Sequence, residues 1–130
     1  MIEGKDVVRT VNSTERGRWG EGIAARHLEN HGYQIVERNW RFQKLEIDLI
    51  ARHERDWVFV EVKVRKTGGL EEALASVDLF KQQRIIEAAH QFLKRRLEPQ
   101  ANTRFDIICI EFDTKGWRIQ HIPDAFISMP

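Results

Sequence analysis

The stretch LEIDLIARHERDWVFVEVKV, residues 45–64, constrains the fold more than any other part of the chain. Leu45 to Ala51 alternates apolar and acidic residues, and Trp57 to Val64 alternates valines with Trp57, Phe59, Glu61 and Lys63. Period-two alternation rich in β-branched and aromatic side chains is the pattern of a strand. The polar cluster His53-Glu54-Arg55-Asp56 between the two halves predicts a turn, and so a β-hairpin. A tight turn pairs Arg52 with Trp57, Ile50 with Phe59, Asp48 with Glu61 and Glu46 with Lys63.

That register predicts one wholly apolar face: Leu45, Ile47, Leu49, Ala51, Val58, Val60, Val62 and Val64. The other face is apolar near the turn, at Ile50, Trp57 and Phe59, and charged at the far end. Two carboxylates directly opposite each other destabilise a hairpin. Stability alone gives no reason to set Asp48 against Glu61. A divalent cation between them does, because Mg²⁺ takes hard oxygen ligands from one or two carboxylates and keeps waters. The bland alternative is an ion pair between Glu46 and Lys63, with Asp48 in solvent on a wet face.

The rest of the chain sets this hairpin in a single domain. A length of 130 residues is one domain's worth, and 42% hydrophobic content is ordinary for a globular protein. Residues 1–12 show no period and are expected to be a flexible arm, with the domain spanning 13–130. No apolar run reaches the length of a membrane span, and the first residues lack the apolar core of a signal peptide. A cytoplasmic protein is expected. The lone Cys109 lies in an apolar run and reads as a buried thiol. With one cysteine and scattered histidines, a structural zinc site is not expected.

Ser13 or Thr14 is placed to cap a helix running to about Asn30, where His31-Gly32 stops it. Gly17 or Gly20, Ala24, Ala25 and Leu28 give its inward stripe. Glu21 shares that stripe, and a carboxylate there needs a partner. A strand follows over Tyr33 to Arg41, and Trp40 within it reads as core or rim packing. Arg65 to Ala75 contains Gly68-Gly69 and reads as a flexible connection able to order over a substrate. Asp78 is placed to cap a helix to about Leu97, with Lys81 and Arg84 in its first turns, where backbone amides favour phosphate. Gln83 there is available to hold a water. Arg104 to Phe112 is a nearly continuous apolar strand, as expected for one covered on both faces. Trp117 to Ile122 is a last short strand, with Ala125 and Phe126 in a tail that packs back. The order α-β-β-β-α-β-β predicts an α/β fold, a mixed β-sheet flanked by helices.

Asp48 followed by Glu61-Val62-Lys63 on the next strand, within this order, resembles the PD-(D/E)xK nuclease superfamily. The chain is more closely similar to the YraN family, small bacterial proteins described as Holliday-junction-resolvase-like. The matching pieces include Gly20-Glu21, Gly32-Tyr33, Arg38-Asn39-Trp40-Arg41, Glu46-Ile47-Asp48-Leu49-Ile50, Phe59-Val60-Glu61-Val62-Lys63, Val77-Asp78, Lys81 with Arg84, Arg104-Phe105-Asp106, and Ala125-Phe126. The chain departs from the family's usual glycine at Leu45. The resemblance implies a restriction-endonuclease-like fold. It also implies Mg²⁺ or Mn²⁺ held by Asp48 and Glu61 with Glu21 completing the set, and Lys63 acting on the attacking water.

The expected function is a metal-dependent endonuclease acting on DNA, with branched DNA as a candidate substrate. Arg41, Arg65, Lys66, Lys81 and Arg84 are the expected phosphate contacts, with Glu46 and Gln83 as further candidates. A homodimer is expected if two strands are cut symmetrically. The alternative, from another class, is a protein that binds nucleic acid, or a partner in DNA processing, without cutting. The net charge of +1 excludes neither.

Overall fold

The computed structural model describes residues 12–128, so the arm expected over residues 1–12 lies, apart from Asn12, outside the described residues. Helix α1 (Ser13–Asn30) is capped one residue earlier than expected, by Asn12, whose side chain accepts from the Glu15 N–H at 2.9 Å. Strands β1 (Gln34–Phe42), β2 (Leu45–His53) and β3 (Asp56–Lys66) follow as two consecutive antiparallel hairpins. Two short-linked helices, α2 (Leu70–Ser76) and α3 (Leu79–Arg95), lead to β4 (Asn102–Asp113) and β5 (Gly116–Phe126). The five strands lie in sequence order, β1-β2-β3-β4-β5. Only the β3–β4 joint is parallel, and a parallel joint needs a long crossover, here supplied by α2 and α3. The result is the mixed, helix-flanked sheet of a restriction-endonuclease-like fold.

Each face of the sheet carries its own core. On one, α3 lays Ile85, Ala88, Ala89, Phe92 and Leu93 against Ile50, Trp57, Phe59, Phe105 and Phe126. On the other, α1 lays Ala24, Ala25 and Leu28 against Leu49, Ala51, Val58, Val60, Ile108 and Ile110. Each large side chain buried this way contributes about 1.5–3 kcal/mol. Cys109 is buried in β4 between these layers, as expected. Trp40 packs edge-on to Phe92, with ring centroids 5.4 Å apart, as a half-buried residue at the rim of the core. No described helix is long and apolar enough to cross a membrane.

Three local expectations are corrected. The segment after β3 is not a flexible connection. Residues 70–76 are helical, and the turn before them is tied to β4 by Gly68 N–H donating to Glu111 at 2.9 Å and by Thr67 Oγ1 donating to Asp113 at 3.0 Å. The last strand does not end at Ile122. It runs to Phe126, past a register shift at Phe105/Ile107 that holds Pro123 and the left-handed Asp124 (φ 52°). The expected wholly apolar face of the hairpin is divided. Leu45 and Ile47 pack on the α3 side, whereas Leu49 and Ala51 pack on the α1 side.

Of the two candidate inward glycines, Gly20 is the buried one. A Cβ built there would stand 2.3 Å from Val64 Cγ2, while one at Gly17 would meet nothing within 4 Å. Gly20 therefore lets α1 approach β3 closely, just upstream of Glu21. Gly20→Ala is expected to lower stability in urea by about 1–3 kcal/mol through overpacking. Gly17→Ala should be neutral, or stabilising by up to about 1 kcal/mol from helix propensity. Equal effects at the two positions would contradict the close-approach role.

Candidate functional site

The predicted register holds only near the turn. Matched pairs run from His53/Asp56 to Leu49/Val60 and stop before Asp48 reaches Glu61. At that level the backbone N–H of Val62 donates to Asp48 Oδ2 at 2.8 Å. A side chain has replaced the backbone ladder. On the other side of β2, the level between the Arg38/Leu49 and Trp40/Ile47 pairs is occupied by Asn39, which adopts φ 51°. Both neighbours of Asp48 thus break regularity at the same height. This is also where the alternation of β2 changes sides. Regular pairing of Asp48 with Glu61 and of Glu46 with Lys63 is therefore corrected: the ladder ends at Leu49/Val60, and beyond it the Asp48 side chain takes the place of a backbone partner.

Glu61 is buried, with 5% of its surface exposed. Lys63 Nζ lies 3.2 Å from Glu61 Oε2, and Lys81 Nζ, reaching from the first turn of α3, lies 3.5 Å from the same oxygen. Lys63 therefore neighbours Glu61, two residues before it on its own strand. Glu46 faces Arg41 instead, at 3.7 Å across the β1–β2 hairpin. The suggested Glu46–Lys63 ion pair is absent from the ion pairs of the described residues. Asp48 is mostly buried rather than in solvent, and its pKa is pushed up to about 8. Burial is the main cause, the Glu61 charge adds to it, and the Val62 N–H and Lys81 only partly oppose it. Glu21, on α1, is also raised, first by burial and then by the charges of Glu46 and Glu61. The Asn39 side chain pulls it the other way. Four acids from three elements thus feel one another's charge.

Two other buried acids show what a purely structural carboxylate looks like in this fold. Asp106, fully buried, accepts from Arg104 at 2.9 and 2.7 Å, from the Asp124 N–H at 2.9 Å, and lies 2.8 Å from His121 Nε2. Burial pushes its pKa up, but the His121, Arg104 and Asp124 hydrogen bonds outweigh it and hold it below the usual range. Glu111 accepts from Gly68 N–H and faces Arg118 at 3.2 Å. Asp106 and Glu111 are each matched by cations. Asp48 faces another acid.

Carboxylate oxygens such as those of Asp48 and Glu61 are the donor type that a small hard cation takes. Mg²⁺ is commonly held by one or two carboxylates and fills its remaining positions with water. Among the described residues no group of three or more His, Cys, Asp or Glu side chains is arranged to cage an ion, so Glu21, Asp48 and Glu61 do not form a ready-made triad. The chemistry available is a buried carboxylate pair with two lysine ammonium groups beside Glu61.

The expected phosphate contacts divide. Lys81 joins the site through its side chain, but its backbone N–H is taken by the Asp78 cap at 2.9 Å. Arg84 donates to the Lys44 carbonyl at 2.7 Å, which fastens α3 to the β1–β2 turn. Arg65 is engaged by Glu72 on α2, which leaves it little freedom to grip phosphate. Arg41 and Lys66 are exposed. Gln83 is exposed on α3 and lines a surface groove. Asn39 is the residue that sequence reasoning missed as a site position. Its only signal was the run Arg38-Asn39-Trp40-Arg41, because a left-handed asparagine inside a strand leaves no periodic trace.

Residues 20–110 match the family described as Uncharacterised protein family UPF0102. The chain is similar to a UPF0102 protein of Geobacter metallireducens, 40% identical over 117 residues, covering 90% of this chain and 96% of that protein. A UPF0102 protein of Chlorobium chlorochromatii is 43% identical over 122 residues, covering 88% and 94% respectively. One of Geobacter sulfurreducens is 42% identical over 108 residues, covering 82% and 84%.

Proposed function

This chain belongs to the uncharacterised protein family UPF0102, the YraN family its motifs resemble and one structurally related to the PD-(D/E)xK nucleases, and from that premise we propose that it is a metal-dependent endonuclease hydrolysing phosphodiesters in DNA, with branched DNA preferred. The observation that supports this most is the parting of β2 from β3 at Asp48. There a buried carboxylate faces Glu61 instead of a cation, with Lys63 3.2 Å from Glu61. Asp48 and Glu61 would hold Mg²⁺ or Mn²⁺, which when bound supplies a water of lowered pKa and screens the phosphate. Lys63, its Nζ 3.2 Å from Glu61 Oε2, would supply an ammonium donor to the negative charge that develops at the phosphoryl group. Glu21, whose pKa is raised by burial and by the charges of Glu46 and Glu61, would add a third acid from α1 to the electrostatics of the pair. Lys81 keeps Glu61 oriented from α3. Arg41 and Lys66, both exposed, are left for flanking phosphates.

A second reading, binding of nucleic acid or of a DNA-processing partner without cutting, draws on one observation. Glu61 Oε2 already holds both Lys63 and Lys81. The two readings separate in a cleavage assay on a four-way junction and on a linear duplex, in Mg²⁺ or Mn²⁺. The expected result is cutting by the wild type, faster on the junction, and about a hundredfold loss in Lys63→Ala. Metal-dependent products absent from the wild type, or formed equally fast by Lys63→Ala, would remove the nuclease reading.

A further inference from the structure

Among the described residues, five other than glycine take a left-handed backbone: Asn39, Gln43, Glu54, Leu97 and Asp124. Four of them stand where the chain has to turn or absorb an irregularity. Gln43 and Glu54 turn the two hairpins, Leu97 follows the end of α3, and Asp124 lies at the register shift of β5. Asn39 stands in neither kind of place. It is inside β1, and the pairs on either side of it, Arg38 with Leu49 and Trp40 with Ile47, keep one register. No inserted residue there calls for a left-handed turn. Asparagine tolerates this conformation better than most residues, but it remains a sparsely populated one. Such states persist where the surroundings hold them, and they gather at functional sites.

The surroundings of Asn39 are those of the candidate site. It lies level with Asp48 on the neighbouring strand. Its side chain hydrogen-bonds Glu21, which links β1 to α1. The amide N–H of an asparagine is the donor that a carboxylate takes. Glu21 feels the charges of Glu46 and Glu61, and Asp48 feels that of Glu21. Like charges push a glutamate on its flexible stem away from the others. Arg38 also draws on Glu21, more weakly than the amide does. A fixed hydrogen bond is therefore what keeps this carboxylate near the pair.

We propose that Asn39 is a positioning residue: its side-chain amide holds the Glu21 carboxylate of α1 beside Asp48 and Glu61, and the left-handed backbone of β1 is kept for that contact. The role rests on the metal-site reading and deepens it. It names the group that keeps α1's acid beside the carboxylates of β2 and β3. Outer groups that orient acids around a metal are commonly worth 10–100-fold in affinity.

Three variants of the full chain separate this role from one confined to the backbone. Asn39→Gly keeps the left-handed conformation at no steric cost and removes the amide. Asn39→Asp keeps a residue that tolerates the conformation but sets an acceptor against Glu21. Glu21→Gln removes the charge that is held. Mn²⁺ binding is read by isothermal titration calorimetry and stability by urea unfolding. All three are expected to bind Mn²⁺ about tenfold more weakly or worse, and Asn39→Gly to keep the wild-type urea midpoint. The double variant Asn39→Gly/Glu21→Gln should bind no more weakly than Glu21→Gln alone, because Asn39 acts through Glu21. Wild-type Mn²⁺ affinity in Asn39→Gly would overturn the role and leave the turned backbone as a mere companion of the side change in β2. Additive losses in the double variant would also overturn it. So would a lowered urea midpoint in both Asn39 variants, or a wild type that binds no Mn²⁺. Cleavage of a four-way junction by the same proteins keeps the two readings apart. Asn39-dependent Mn²⁺ binding by a protein that cuts nothing keeps the positioning role and removes the nuclease reading. Cutting by the wild type, with Mn²⁺ affinity and rate unchanged in Asn39→Gly, does the reverse.

Discussion

Asp48→Asn is expected to stabilise the protein at pH 8 while abolishing metal-dependent cleavage. The folded structure raises the Asp48 pKa from 3.8 to about 8, chiefly by burial and then by the facing Glu61. In the unfolded chain the carboxyl ionises near pH 4. Between those values the folded state keeps a proton that the unfolded state has lost. Stability therefore falls as pH rises across that window, and is fully present only below it. A shift of that size corresponds to up to about 6 kcal/mol at about 1.4 kcal/mol per unit. An asparagine carries no charge, and its amide oxygen can still accept from the Val62 N–H. The expected gain at pH 8 is about 2–5 kcal/mol, shrinking toward zero at pH 4, read from urea unfolding in EDTA. Adding Mn²⁺ should raise the wild-type midpoint at pH 8 and leave Asp48→Asn unmoved, because binding to the folded state stabilises by mass action. A variant less stable than the wild type at pH 8 would show that Asp48 has a favourable partner in the fold. Stability given up at a reacting centre is a common trade.

Asp106→Ala is expected to act in the opposite direction, costing about 3–5 kcal/mol at pH 7. Asp106 and Asp48 use the same device: each carboxylate accepts a backbone N–H where a ladder is interrupted, from Asp124 and Val62 respectively. The difference is the company each keeps. Arg104 and His121 surround Asp106, and its removal leaves a partly buried guanidinium and an unpaired amide behind. Its pKa is held below the usual range, so its contribution is present above about pH 4 and is lost as pH falls through the lower folded value. Chemical unfolding at pH 7 and near pH 3 checks both statements, because the gap between Asp106→Ala and the wild type should narrow at the lower pH. A substitution tolerated with less than about 1 kcal/mol lost would mean that Arg104 finds another acceptor.

Much of this was legible in the residues. The hairpin turn, the helix from Asp78, the doubly covered β4 and the gathering of Asp48, Glu61 and Lys63 follow from periodicity, capping chemistry and charge placement. The side change at Asp48 was not legible. Periodicity assumes unbroken pairing, and a left-handed Asn39 opposite a side-chain-capped amide has no signature in composition or spacing. Helix α2 was hidden behind Gly68-Gly69, which mark the turn before it and not the character of LEEALAS after it. Lys81 was read as a phosphate ligand because it lies near a helix start. Only the packing of α3 on the sheet shows that its side chain reaches Glu61.

The outer strands carry a further consequence. β1 has its register shift at Ile35/Glu37 and the turned-out Asn39, while β5 carries Pro123 and Asp124 at its own shift. An interrupted margin is a poor template for another molecule's backbone, and a proline there offers no amide at all. Fibril growth by strand addition is thereby discouraged at both margins of this small protein.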